Sequence, residues 1–363
     1  MTKFISRRNI IDMTLGPFNR TVRIGSRTVG DGYPAFLIGE IGSNHNRSVA
    51  TAKKMIDLAI AAGLDAVKFQ HLRLEEQWAP NAWTPALKRV HRQIDASDAF
   101  FHTVFAYAKR RGIICLSTAT YPNAVRSLQA LRMPAFKVAS PISVGSTHLI
   151  RQMAETGKPL IVSTGFCATE DVDRVMRVVT RAKNRQCIVL HCTSSYPTPP
   201  EALTLRHMDV LRKRYGCLVG FSDHSLSVTM PAVAVALGAR VIEKHYTLSH
   251  KMKGPDHAFA LEPEALKEMV RQVRDTEAAM RGTRTLLPVE RRTRLNYVAK
   301  VVAARDIPAG TRVMLADLRF LRGKGGINED EAETRVIGKR AARAIPAMHV
   351  LSKKDLVSSP RSL

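Results

Sequence analysis

The sequence predicts an α/β protein built on a TIM (β/α)8 barrel, followed by a small β-rich domain. Eight short apolar or β-branched runs recur between residues 36 and 247, and most are separated by segments with helical spacing. Buried parallel strands show such unbroken apolar runs, whereas half-exposed strands alternate. Eight strand–helix units within about 250 residues are the usual content of this barrel. Beyond about residue 283, short alternating segments with Ile-Pro and glycine punctuation indicate a small β domain.

The eight predicted strands begin apolar and turn polar at their carboxyl ends. They are FLIGEIG (36–42), AVKFQ (66–70), ICLSTA (114–119), AFKVAS (135–140), LIVSTG (160–165), CIVLHCT (187–193), LVGFSD (218–223) and VIEKHYT (241–247). In a barrel all these ends meet on one face, where such enzymes place their catalytic groups. One polar strand end is usually just solvated, but eight in register predict the rim of an active site.

Two segments between strands carry the clearest helix signals. VATAKKMIDLAIAAG has apolar residues at three-to-four spacing and a closing Gly63, and PAVAVALGA (231–239) also closes near a glycine. We expect a tail and barrel-capping hairpin at residues 1–34, the barrel at 35–284, a linker at 285–298 and the small domain at 299–363. No apolar stretch follows the arginine pair in ISRRNIIDM, so this segment is expected to be a disordered tail rather than an export signal.

Composition narrows the classes of function. The formal net charge is +25, from 56 Lys and Arg against 31 Asp and Glu, but the basic residues are scattered and form no nucleic-acid-binding motif. Nucleic acid is therefore an unlikely main partner, and a basic surface serves equally well to steer small anions. No run approaches the roughly 20 apolar residues of a membrane span. The five cysteines, an odd number without a CxxC pair, favour reduced thiols in the cytoplasm.

Taken together, these motifs resemble the sialic acid synthase family, the phosphoenolpyruvate-dependent synthases of nonulosonic acids. GEIGSNHN and DAVKFQ match its first two strands, and FKVAS, KPLIVSTG, HCTSSYPTP, GFSDHS, VIEKHYT and GPDHAFALEP follow in family order and spacing. The tail from Tyr297 resembles the family's antifreeze-like (SAF) domain, with GKRAARAIP as its most typical segment. The resemblance implies that phosphoenolpyruvate (PEP) condenses with an open-chain N-acyl amino sugar similar to N-acetylmannosamine. The products implied are phosphate and a nine-carbon 2-keto acid of the sialic acid type.

The resemblance also implies the site residues. Lysines at two strand ends would neutralise carboxylate and phosphate, while Glu40 would handle protons or orient water. A carboxylate near two lysines is expected to be ionised, and Glu40 is equally suited to be a buried partner of Lys68. The catalytic set implied is Glu40, Lys68, Lys137 and Glu243. The substrate-binding set implied is Gln70, Thr118, Ser140, Ser163, Ser194, Tyr196, Ser222, Asp256 and Arg322.

Two histidines are the predicted metal ligands. His224 and His245 follow or end neighbouring strands, so that their imidazoles can approach one ion and leave positions open for water and an aldehyde oxygen. The family equivalents bind manganese or magnesium. His45 and His257 are weaker candidates for direct participation, and His191 is expected to be a core or supporting residue.

The exact sugar is left open by departures from the family pattern. Arg47 follows NHN where glycine is usual, STATYP replaces the usual third-strand end, and RGKGGI (322–327) replaces the usual SAF-domain loop. A synthase of legionaminic or pseudaminic acid is therefore an alternative, and a non-catalytic basic scaffold derived from the family is a more distant one.

The resemblance also implies a domain-swapped homodimer, in which the small domain of one subunit completes the site of the other. Arg322 matches the arginine of that domain that contacts the N-acyl group in the family.

Overall fold

The structure, a computed structural model, describes residues 18–357 of the 363-residue chain. Of the tail and hairpin predicted at residues 1–34, residues 1–17 therefore lie outside the described part. The chain divides into two compact units, one ending at Arg281 and the other beginning at Gly282. None of the helices within residues 18–357 combines the length and apolar character needed to cross a bilayer.

The larger unit is a closed barrel of eight parallel strands, which confirms the predicted TIM barrel. A short antiparallel hairpin of β1 (Thr21–Ile24) and β2 (Arg27–Gly30) precedes it. The first barrel strand pairs with both the second and the eighth, which closes the sheet. The barrel strands are β3 (Phe36–Gly42), β4 (Ala66–His71), β5 (Ile114–Ala119), β6 (Phe136–Val138), β7 (Leu160–Ser163), β8 (Cys187–Cys192), β9 (Leu218–Asp223) and β10 (Val241–His245).

Helices surround the strands, and local capping fixes several of their ends. Helix α1 begins where the Ser48 hydroxyl accepts a hydrogen bond from the Thr51 N–H, and it ends at Gly63, whose φ of 85° a side chain would disfavour. The helices of this unit are α1 (Val49–Ala62), α2 (Leu74–Gln77), α3 (Pro85–Ile94), α4 (Asp98–Arg111), α5 (Pro122–Ala130), α6 (Ser140–Gly145), α7 (Thr147–Glu155), α8 (Thr169–Arg181), α9 (His207–Tyr215), α10 (Met230–Ala236) and α11 (Pro263–Ala279), with 3₁₀ turns at Pro80–Ala82 and Pro200–Ala202.

Strand alternation decides which polar groups at the strand ends reach the barrel mouth. Successive side chains of a strand point to opposite faces. On β10, Glu243 and His245 line a cavity, whereas Lys244 between them donates a 2.6 Å hydrogen bond to the Asp223 carboxylate on β9. Lys244 and Asp223 are each 1% exposed, so each charge depends on the other for compensation. Asp223, which the sequence placed among the converging polar ends, therefore belongs to a buried ion pair outside the cavity.

The smaller unit is built on a two-stranded antiparallel sheet of β11 (Ala299–Ala303) and β12 (Leu318–Arg322). Its own core includes Val301, Val313, Val336 and Leu351. Part of the predicted linker is helical, because Pro288 opens helix α12 (Pro288–Arg294) and the Glu290 carboxylate accepts from the Leu287 N–H. The remaining elements are helix α13 (Ala332–Arg335) and 3₁₀ turns at Leu315–Asp317, Glu329–Glu331 and Lys353–Asp355.

Candidate active site

A cavity of about 660 Å³ opens at the carboxyl end of the barrel strands. This volume lies within the usual range for small-molecule sites, roughly 300–1,000 Å³. Most of the site residues predicted from the sequence line it: Glu40, Lys68, Gln70, Thr118, Lys137, Ser140, Ser163, Tyr196, Ser222, His224, Glu243, His245 and Asp256. Side chains from all eight barrel strands and their loops are thus brought together around one space.

Two lysines and two glutamates form the buried charged part of the cavity. The strand register places Glu40 beside Lys68, and the Lys68 Nζ lies 2.7 Å from a Glu40 carboxylate oxygen. Glu243 lies between the lysines, with an oxygen 3.6 Å from each Nζ. Lys137 donates a 2.6 Å hydrogen bond to the Ser163 hydroxyl. The lysines are only 2–3% exposed. Because little water screens their charges, they attract an anionic ligand in the cavity more strongly than exposed lysines would.

The surroundings of Glu40 and Glu243 shift the pKa values of the two carboxylates in opposite directions. Burial raises the pKa of Glu40 to about 7, although the Lys68 ammonium opposes the rise. Burial also disfavours the charge of Glu243, but the ammonium groups of Lys137 and Lys68 outweigh it and hold the pKa of Glu243 at about 2. The two carboxylates therefore differ in environment: burial favours the neutral form of Glu40, whereas the two ammonium groups favour the charged form of Glu243.

A group of small hydroxyl-bearing residues lies next to Lys137. Ser194, a predicted site residue, is not among the lining residues, and its buried hydroxyl interacts with the Tyr196 side chain. The Ser140 hydroxyl contacts the Cys192 sulfur at 3.6 Å. A Cβ added to Gly165 would come within 2.7 Å of the Ser140 hydroxyl and closer still to that of Ser194. The backbone is therefore kept bare where these hydroxyls converge, as a cradle for ligand oxygens requires.

The two predicted metal-binding histidines are neighbours, with ring centroids 5.5 Å apart. The His224 Nδ1 lies 2.9 Å from the Thr193 carbonyl and so donates to it, which leaves the lone pair on Nε2. His245 has a buried Nδ1 without a hydrogen-bond partner, and burial holds its pKa well below the usual value. Burial lowers the pKa of His224, but its hydrogen bond with the Cys192 sulfur and the charge there outweigh burial and raise it. A divalent cation would bind the deprotonated imidazoles. Residues 18–357 contain no cluster of three or more acidic, His or Cys side chains that could hold a metal.

Three further lining residues, Gln70, Tyr196 and Asp256, suit a polyol. Gln70 donates a 2.8 Å hydrogen bond to Glu40, and Asp256 accepts from both the N–H and the hydroxyl of Ser43. The Tyr196 ring packs against His224 at 4.3 Å between centroids and remains half exposed. These groups supply hydrogen bonds and an aromatic face beside the charged end of the cavity.

Several predicted residues lie elsewhere. The His45 Nδ1 accepts from the Arg47 N–H and its ring packs on Phe100, while His257 bonds the Thr247 hydroxyl at 2.7 Å. His191 donates to the Leu203 carbonyl in the core, as expected. These three histidines support loops rather than line the cavity. Arg322 lies in the smaller unit at the end of β12, with its guanidinium 5.3 Å from the centre of the Tyr297 ring.

The sequence reasoning missed some lining residues that carry no strong motif. Most are apolar or neutral and come from the loops after the strands, where periodicity says little about which way a side chain points. The missed residues are Leu72, Gln77, Trp78, Thr120, Ala139, Pro141, Ile142, Ser146, Cys192, Pro255 and Phe259. Cys192 alone had a usable signal, because it lies on a strand next to the polar run that includes Ser194.

Comparison with protein families agrees with this arrangement. Residues 55–285 match the model of the NeuB family, and residues 298–357 match that of the SAF domain. The two matches cover most of the barrel and the smaller unit respectively.

Named relatives extend the likeness over nearly the whole chain. N-acetylneuraminate-9-phosphate synthase of Mus musculus is 34% identical over 93% of this chain and 97% of its own length. N,N'-diacetyllegionaminic acid synthase of Legionella pneumophila is 28% identical over 91% of this chain and 96% of its own. Among solved structures, the sialic acid synthetase of Leptospira borgpetersenii is 26% identical with a TM-score of 0.69, over 77% of this chain and 96% of that one.

Proposed function

The chain belongs to the NeuB family of nonulosonic acid synthases, and from that membership we propose that it condenses PEP with an open-chain N-acyl amino sugar. In the proposed reaction, C3 of PEP forms a bond to the aldehyde carbon, water adds to C2, and phosphate leaves with cleavage of its C–O bond. The products are one 2-keto sugar acid and one phosphate. The observation that carries the proposal is the pair of buried lysines, Lys68 and Lys137, facing a cavity of small-molecule size.

The charged end of the cavity has the chemistry that PEP requires. Lys68 and Lys137 would bind its carboxylate and phosphate oxygens, since charge-assisted hydrogen bonds are strong in a desolvated site. The hydroxyls of Ser140 and Ser163, which line the cavity, would bind further oxygens. Glu243 would keep both ammonium groups in place at 3.6 Å. Anion binding at the charged end of the cavity is thus the first role that we propose.

Proton handling and metal binding complete the proposed mechanism. Glu40 has a pKa of about 7, within the range where one group both takes and gives a proton at neutral pH. Gln70 would orient its carboxylate through their 2.8 Å hydrogen bond. His224 and His245 would hold Mn²⁺ or Mg²⁺, and two imidazole nitrogens favour manganese over magnesium, which prefers oxygen ligands. The chemistry that such an ion supplies when bound is Lewis-acid polarisation of an aldehyde oxygen.

The acceptor is proposed to be N-acetylmannosamine or a close relative, which would bind along Gln70, Tyr196 and Asp256. A diacylated sugar leading to a legionaminic or pseudaminic acid is the second candidate, because relatives of both kinds match nearly the full chain. A screen of these acceptors with PEP and Mn²⁺, read as acceptor-dependent phosphate release, separates the two. If phosphate release does not depend on any of these acceptors, the proposed function is rejected in favour of another use of PEP.

We propose further that Arg322 contacts the acceptor's N-acyl group in a homodimer whose subunits complete each other's sites. Arg322→Ala should then raise the KM for the sugar about tenfold and leave the KM for PEP nearly unchanged, as expected for a lost hydrogen bond from a charged group. Arg319→Ala, on the same strand and exposed, is the matched control. Steady-state kinetics of both variants measures the difference.

Mixing experiments test the exchange between subunits. Arg322→Ala and Lys137→Met proteins mixed under subunit exchange should regain part of the activity, since one site of each mixed dimer would carry neither substitution. A mixture that exchanges subunits but stays inactive would contradict the crossing.

A cytoplasmic location is also proposed, because all five cysteines are free thiols, and fractionation of the source cells would check it.

A further inference from the structure

The connection between β4 and α4 carries both tryptophans of the chain, Trp78 and Trp83. It follows the strand that bears Lys68 and Gln70, and it spans residues 72–97. Trp78 lines the cavity and is 45% exposed, although large aromatic side chains are usually more buried. Such exposure beside a binding cavity is informative when the side chain is held in place.

The backbone at Trp78 is fixed by two hydrogen bonds. Its N–H donates to the Leu74 carbonyl at 3.0 Å, and its carbonyl accepts from the Trp83 indole at 2.9 Å. The connection is also fastened at its start, where the Leu74 N–H donates to the Asp95 carboxylate at 3.0 Å. Trp78 is therefore presented from an ordered segment, although it lies in a long loop.

The Trp78 indole itself has no polar or aromatic partner. Among residues 18–357, none bonds to its N–H, stacks on its ring or places a cation over it. Trp83, by contrast, uses its N–H to hold Trp78 and has the Lys88 ammonium 5.3 Å from its ring. The two tryptophans thus have different roles. Trp83 holds the segment in place, and Trp78 presents an aromatic face without a partner to the cavity.

The most exposed residues of the cavity lining are uncharged, whereas the Asp256 carboxylate is partly buried. The lining residues that remain exposed are Trp78, Pro141, Tyr196 and Pro255. The lysines of the lining, Lys68 and Lys137, are both buried at the charged end. With PEP bound at these lysines, an acceptor between PEP and the opening of the cavity would therefore meet apolar and aromatic side chains.

We propose that Trp78 is a specificity-determining residue for the acceptor, and that its indole packs against an uncharged N-acyl sugar. The proposal rests on the proposed function and adds the residue and the substrate class. A flat indole covers C–H groups and an acyl methyl with little loss of side-chain entropy, since it has two rotatable bonds. A phosphate at the same end of the acceptor would face this wall without a lysine or arginine from the cavity lining.

Kinetics of three variants tests the contact. Trp78→Ala should raise the KM for N-acetylmannosamine about tenfold, the effect of about 1.4 kcal/mol of lost binding, while the KM for PEP stays within about twofold. Trp78→Phe should restore most of the loss, because it keeps an aromatic face. Phe166→Ala is the control, since Phe166 is an aromatic residue exposed after β7 that does not line the cavity. Equal sugar KM values in Trp78→Ala and wild type would overturn the proposal.

Fluorescence tests the contact by binding alone. Wild-type emission should change saturably on adding N-acetylmannosamine in the presence of PEP, and this change should be absent from Trp78→Phe, in which Trp83 is the single tryptophan of the chain. An unchanged spectrum at sugar concentrations that saturate turnover would contradict the contact. Preference for the 6-phosphate of the sugar over the free sugar would overturn the uncharged substrate class. Absence of turnover in the wild type with every acceptor would instead reject the proposed function, and the two failures are thus distinct.

Discussion

Lys137→Met is expected to nearly abolish condensation. The substitution keeps the length of the side chain but removes the ammonium that bonds Ser163 and faces Glu243. A charged hydrogen bond contributes about 1.5–3 kcal/mol, and an uncompensated buried Glu243 adds to the loss. We therefore expect kcat/KM for PEP to fall by about a hundredfold or more, measured as initial rates of phosphate release. Lys68→Met should behave similarly, because Lys68 is bonded to Glu40 at 2.7 Å.

A control separates a lost anion site from a lost fold. Lys109→Met removes a lysine from the exposed side of α4 and should leave PEP kinetics unchanged. Thermal melts of the three variants would show whether the barrel persists. If the Lys68 and Lys137 variants fold and keep wild-type kinetics for PEP, the lysines are structural and the proposed anion site is wrong.

Removal of divalent metal is expected to have an effect of similar size. His224 and His245 are the protein ligands that we propose as a minimum, and a chelator in excess should remove an ion bound by so few side chains. Condensation should then be lost, and Mn²⁺ should restore it better than Mg²⁺. His224→Ala or His245→Ala should weaken the binding of Mn²⁺ by about tenfold to a hundredfold, as removal of one of few ligands implies.

Mn²⁺ binding is best measured directly, by titration followed with electron paramagnetic resonance, so that the result is independent of turnover. His102→Ala is the matched control, because His102 is exposed on α4. Full activity of wild-type protein after exhaustive chelation, with no metal detected, would contradict the proposed role of the two histidines.

Much of the barrel could be predicted because its strands have a clear sequence pattern. Each is a short apolar run ending in polar residues, and parallel strands bring those ends to one face whatever the helices between them contain. Glu40 and Lys68 were predicted for one site on this ground, and the register places them side by side. The same reasoning could not predict that Ser222 points into the cavity and Asp223 away from it. The direction of each side chain depends on where the alternation along the strand begins.

The chemistry of Glu40 could not be predicted from residue types. Two lysines near a carboxylate suggest an ionised group, but full burial and the second carboxylate, Glu243, act in the opposite direction. The balance depends on distances that sequence does not contain. Trp78 was missed for a related reason. It lies on a long connection with little periodicity, and its position follows from the hydrogen bond of Trp83 to its carbonyl.

The most direct test of the proposed function is the mass of the product formed from PEP labelled with carbon-13 at every position. Incubated with Mn²⁺ and N-acetylmannosamine or a related acceptor, the protein should form a compound with the mass of acceptor plus pyruvate. This compound should carry every carbon label and appear in equal amount to the phosphate released. Phosphate accompanied by labelled free pyruvate, with no label joined to the acceptor, would contradict the account, because the cavity would then hydrolyse PEP rather than form a carbon–carbon bond.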